Sequence, residues 1–139
     1  MVPAVSINYL AVLVATVAAI VLGFVWYGPL FGKTWMNLMD IDKKKMGEAK
    51  KKGMAANYVI MIISTLVMSY ILAHFVKYLG ATDIAGALQT AIWIWLGFIA
   101  TVQIGIVLWE GKPWKLYFLN TAYWLVNLAV MATILALWV

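Results

Sequence analysis

Four apolar runs without a single Lys, Arg, Asp or Glu occupy residues 7–27, 57–76, 84–108 and 116–138, and polar breaks separate them. A helix rises about 1.5 Å per residue, so about 20 apolar residues cross a hydrocarbon core of ~30 Å. The pattern predicts an all-α polytopic membrane protein: four transmembrane helices in an up-down bundle, forming one domain over residues 1–139, with a Lys-rich loop at 28–56. The first run is read as a retained helix rather than a cleaved leader. No Lys or Arg precedes it, and it is longer than the ~7–15 apolar residues of a signal peptide.

Composition narrows the class. The chain is 66% hydrophobic and 11% charged, with a mean hydropathy of +0.97, whereas soluble domains run at roughly 45–50% and about 25%. A chain this short has no way to hide so much apolar surface from water, which excludes a cytosolic enzyme, a disordered tail and a nucleic-acid-binding module. Cysteine is absent, so thiolate metal sites and cysteine nucleophiles are excluded too.

Charge sets an expected orientation. All 10 basic residues are Lys. Lys33, Lys43, Lys44, Lys45, Lys50, Lys51 and Lys52 lie between the first and second runs, Lys112 and Lys115 between the third and fourth, and Lys77 alone between the second and third. The positive-inside rule then places both basic loops in the cytoplasm and both termini outside. Trp109, Trp114 and Tyr117 fall at the inner interface of this frame, and Tyr9, Tyr78 and Trp138 at the outer one, where amphipathic rings prefer to sit. Trp93, Trp95 and Trp124 lie inside the spans, where an indole N–H needs a partner.

Two segments outside the runs carry local signals. Pro29 disfavours helical geometry at Gly28, so the first span is expected to end there. Trp26, Tyr27, Gly28, Pro29, Phe31, Lys33 and Trp35 then form an interfacial elbow. Farther on, Asp42 is a plausible helix cap and Glu48 stands four residues from both Lys44 and Lys52, so a helix that extends the second span is expected, weakened by Gly47 and Gly53. The Lys cluster is a candidate for anionic lipid head groups, at about 1 kcal/mol per Lys near the surface, as well as a topology signal.

Small residues recur at four-residue spacing. Ala11, Ala15, Ala19 and Gly23 share one face of the first span, and Gly97, Thr101 and Gly105 repeat the device in the third, with a looser Ala132 and Ala136 pair in the fourth. Such faces let backbones approach closely in lipid, either within one bundle or between subunits. The inner ends of the first and third spans also echo each other, Gly23 to Trp35 against Gly105 to Trp114, which suggests a parallel repeat of two hairpins.

Polar residues inside spans are the usual pointers to function. His74, Gln89, Gln103, Asn120 and Asn127 form a possible polar lining across the bilayer, or else they hydrogen-bond between helices as glue. His74 is the only histidine and has only Asp83 nearby as a carboxylate, so no metal site is expected. Every Asp and Glu lies outside the apolar runs, which argues against a carboxylate-driven antiporter. Ser64 and Ser69 lack a base at their depth, and Glu110 is the one candidate acid or base for an intramembrane enzyme.

The stretch Trp26-Tyr27-Gly28-Pro29-Leu30-Phe31-Gly32-Lys33-Thr34-Trp35, with Asn8, Gly23, the later Trp109-Glu110-Gly111-Lys112-Pro113, Asn120 and Tyr123, resembles a family of small bacterial four-helix membrane proteins, domain of unknown function 1761. The resemblance implies a compact polytopic protein of a bacterial cytoplasmic membrane and brings no catalytic or binding residues. The function expected from the residues is a non-catalytic, self-associating structural or accessory protein without cofactors. Its alternatives are a homo-oligomeric channel or transporter for a small solute or ion, and an intramembrane enzyme.

Overall fold

A computed structural model describes residues 2–41, 43–51 and 53–138, and the described residues are helical with no strand among them. Four helical spans cross the bundle in up-down order: Tyr9–Leu30, Ala55–Tyr78, Ile84–Leu108 and Trp114–Leu137, each long and apolar enough to cross a membrane. The first consists of α1 (Tyr9–Val25) and a π-helical turn, Trp26–Leu30. Two short helices follow, α2 (Gly32–Leu38) and α3 (Lys43–Lys51). The second span is α4 (Ala55–Tyr78). The third is α5 (Ile84–Ile94), a π-helical turn Trp95–Ala100, α6 (Thr101–Gln103) and α7 (Gly105–Leu108). The fourth is α8 (Trp114–Leu137).

The termini of these elements follow from local chemistry. Asn8 caps α1 by accepting from the amides of Leu10 and Ala11 at 3.1 and 3.2 Å, and Asp83 caps α5 by accepting from Gly86 at 2.7 Å. α3 stands apart from α4 instead of extending it, because Gly53 turns the chain at φ +87°, a conformation that favours glycine. The proposed cap Asp42 and the Glu48–Lys52 spacing involve positions 42 and 52, which lie outside the described residues.

The first span does not end at Gly28 as its sequence suggests. It runs on to Leu30 because the turn widens: the Phe31 amide donates to the Trp26 carbonyl, five residues back, at 2.8 Å. Pro29 has no N–H to give and would clash with the carbonyl four residues earlier in an α-helix, and the wider π turn absorbs both faults. Gly32 then lets α2 fold back tightly, since a Cβ there would stand 2.7 Å from the Tyr27 carbonyl oxygen.

α8 is the central helix. It packs against α1, α4 and α5, while α1 also packs on α4, and α4 and α5 barely touch. The buried face of α1 is Ala11, Val12, Ala15, Thr16 and Ala19. Three members of the first small-residue stripe are thus spent on closing the bundle of a single chain. At the fourth, Gly23, a Cβ would come within 3.0 Å of the Tyr123 hydroxyl of α8. Ala132 and Ala136 are buried from α8 as well.

The third span packs on α8 through Ala87, Thr90, Ala91 and Ala100, and the Gly97/Thr101 stripe points away from the bundle. The π turn bears on where Thr101 points. One additional residue in the turn rotates everything beyond it by about 100°, the angular step of a residue in an α-helix, so Thr101 no longer shares the face of Ala87. Open space surrounds the position of a Gly97 Cβ, and Gly105 meets only its own neighbour Trp109. The two hairpins also differ in build: the π turn closes the first span but interrupts the third midway.

Candidate functional site: a polar seam between the first and fourth spans

Asn120, Tyr123 and Asn127 stand at i, i+3 and i+7 on α8 and so share one face. That face meets the lower part of the first span. The Tyr27 hydroxyl donates to Asn120 Oδ1 at 2.7 Å, across 93 residues of sequence. One turn farther in, Asn127 Nδ2 donates to the Tyr123 hydroxyl at 3.2 Å. Gly23 leaves room for that hydroxyl beside the α1 backbone. Aromatic rings wall the seam: Tyr123 lies edge-on to Tyr27 at 5.1 Å and tilted against Trp26 at 6.0 Å, Trp26 rests on Phe31 at 4.7 Å, and Trp35 meets Tyr27 at 5.8 Å.

Two buried polar atoms in this seam have no hydrogen-bond partner, Asn127 Oδ1 and Trp26 Nε1. Asn127 is 2% exposed. One orphan is an acceptor and the other a donor, and each ordinarily costs about 1–3 kcal/mol when desolvated and unpaired. Among the described residues, the other buried side-chain polar atoms have partners. Thr16 Oγ1 and Ser69 Oγ both donate to the Val12 carbonyl, at 2.7 and 2.9 Å, which ties α4 to α1, and Trp95 Nε1 donates to the Thr121 carbonyl at 2.7 Å, which ties the third span to α8.

The five residues of the possible lining are not brought to one cavity. Asn120 and Asn127 belong to the seam. The ring nitrogen Nδ1 of His74 bonds to the Tyr70 carbonyl of its own helix at 2.9 Å, which makes Nδ1 the protonated nitrogen, and Tyr70 and Tyr78 flank the ring. Gln89 borders a notch of about 500 Å³ with Gly80, Ala81, Thr90 and Trp93 at the end that bears Asp83. Gln103 borders a shallow crevice with Trp109 and Glu110 at the end that bears Lys112. Glu110 and Trp109 are exposed there. Of the elbow residues, Tyr27, Trp26, Phe31 and Trp35 join the seam, while Gly28, Pro29 and Lys33 face outward.

A second feature is the sparsely covered third span. Trp93 is exposed, as are Phe98 and Val102, each at 71%. Between α4 and α5 an open cleft of about 460 Å³ is lined by Val67, Ile71, Phe75, Ile94 and Phe98, with Leu128 of α8 at its floor. Thr101 donates to the Gly97 carbonyl at 2.7 Å, so the hydroxyl is turned onto its own helix and the small-residue face is smooth.

The sequence pattern assigns Tyr123 no role of its own, and Ser69 is one of the polar span residues expected to hydrogen-bond between helices, as it does to Val12. The i, i+3, i+7 spacing of Asn120, Tyr123 and Asn127 was the available signal for the seam.

Four apolar crossings and a hydrogen-bonded interior define a small four-span membrane protein. A family model described as "Protein of unknown function (DUF1761)" matches residues 10–136, and the chain belongs to that family. No curated protein and no solved structure gives a match.

Proposed function

We propose that this protein is a non-catalytic, self-associating structural or accessory protein of a bacterial cytoplasmic membrane, with a second copy of the chain docking on its third span. The observation that carries the reading is the bare Gly97/Thr101 face. The first small-residue stripe is consumed inside the bundle, whereas this one lies open at the middle of its span. Without a hydrophobic driving force in lipid, helices associate where small residues allow close backbone packing. A second copy brings the same glycine to the same depth, so a two-fold contact pairs the two faces without mismatch.

The distribution of Lys supports an orientation with both termini outside and Lys33, Lys112 and Lys115 in the cytoplasm. α3 then lies on the cytoplasmic side, where exposed Lys44 and Lys51 meet anionic head groups. A permeation route is less well supported, because His74, Gln89 and Gln103 lie on separate surfaces away from the Asn120–Asn127 seam. The enzyme reading rests on Glu110 alone, which sits exposed in a shallow crevice. The test is the oligomeric state in nanodiscs, read by native mass spectrometry: Gly97→Leu converts dimer to monomer, and an unchanged dimer refutes the third span as the contact.

A further inference from the structure

We propose that the seam between the first and fourth spans binds buried water at Asn127 Oδ1 and Trp26 Nε1, the two unpartnered atoms beside Tyr123. Three observations converge. The first is chemical complementarity. The two orphans are one acceptor and one donor, and water both donates and accepts. Turning the Asn127 amide over exchanges which of its atoms faces Tyr123 and still leaves one atom over, so an amide flip does not remove the demand.

The second is burial. Asn127 lies near the middle of its span, where lipid tails offer no hydrogen bond, and the orphaned atoms are closed off from the surface. A buried water ordinarily makes about three hydrogen bonds to groups that would otherwise stay unsatisfied. The Tyr123 hydroxyl supplies a further group: it accepts from Asn127 and keeps its own proton to give.

The third is the shape of the seam. Gly23 withholds a side chain where the Tyr123 hydroxyl sits, and the rings of Trp26 and Tyr27 both pack against Tyr123 of α8. Tyr27 and Asn120 close the seam toward the end that bears Lys33. The polar atoms of α8 then form an enclosed hydrated niche within the bundle.

The experiment is water-edited solid-state NMR of the full chain in lipid bilayers, with the Trp indole and Asn side-chain amides ¹⁵N-labelled. The proposal expects magnetisation from water to reach Trp26 Nε1–H and the Asn127 amide as early as it reaches groups at the membrane surface. Trp95, whose N–H is bonded to the Thr121 carbonyl, should lag. Asn127→Leu should delay the Trp26 signal and leave that of Trp95 unchanged. If the wild-type Trp26 and Asn127 signals build up no faster than that of Trp95, the niche is dry and the proposal fails, whether or not the variant folds.

Discussion

Asn127 and Tyr123, one turn apart on the central helix, share a 3.2 Å hydrogen bond that is fully enclosed, and the Asn127 amide keeps one polar atom without a protein partner. The pair is therefore coupled in both directions. Tyr123→Phe removes the only protein group that satisfies the amide, and Asn127→Leu removes the donor to the hydroxyl. Each single change should lower stability by about 0.5–1.5 kcal/mol, the net worth of an intramolecular hydrogen bond. The double variant should cost less than the sum of the two, as residues in one network do. Thermal unfolding of the four proteins in bilayer mimetics gives the cycle, and strict additivity would show that the bond does not matter.

Gly23 makes a sharper prediction. A Cβ there would meet the Tyr123 hydroxyl at 3.0 Å, the far atom of a side chain fixed by its bond to Asn127. Gly23→Ala should therefore destabilise the protein, and Tyr123→Phe should partly rescue it because the colliding oxygen is gone. Rescue is read as a higher unfolding temperature for the double variant than for Gly23→Ala alone. Equal temperatures would place the strain elsewhere.

The two small-residue stripes should respond differently to one substitution. Ala15 is wholly buried between helices, so Ala15→Leu overpacks the bundle and costs about 1–3 kcal/mol in the monomer. Gly97 faces open space, so Gly97→Leu should leave the monomer's unfolding temperature nearly unchanged. Circular dichroism melts of both variants make the comparison.

At the elbow, Gly32→Ala brings a Cβ against the Tyr27 carbonyl, a backbone atom that has no rotamer to retreat into. α2 should swing away from the π turn and carry Trp35 off Tyr27. Trp35 fluorescence, isolated by replacing the other tryptophans with Phe, should shift to longer wavelength. An unmoved spectrum would mean that the close fold at Gly32 is not required.

Much of the architecture was legible in the sequence, because membrane spans are set by a physical length and by the exclusion of charge. The spans at 84–108 and 116–138 match the observed helices within about two residues at each end. What the sequence hid were the two π turns. Periodicity counted on 3.6 residues per turn keeps Gly97 and Thr101 on one face, as observed, but it does not show that Ala87 and Ala91, ahead of the turn at 95–100, carry the packing on α8 while that face stays open. Pro29 does not act as a stop at Gly28, since its restriction on the preceding residue concerns α geometry and the turn here is π-helical. In the seam, Asn120 and Asn127 stood out as polar residues among apolar ones, but Tyr27 and Trp26 looked like ordinary interfacial anchors. Only the tertiary contact of α1 with α8 gives their polar atoms a shared setting.

Contact between copies of this chain through the third span can be read directly by cross-linking. With no cysteine in the chain, single introduced cysteines report contacts without background. Gly97→Cys and Thr101→Cys should give disulfide-linked dimers on mild oxidation in native membranes, and Ala15→Cys, buried in the bundle, should give none. If neither third-span cysteine cross-links while the protein still migrates as an oligomer, the contact lies on another face and the account is wrong.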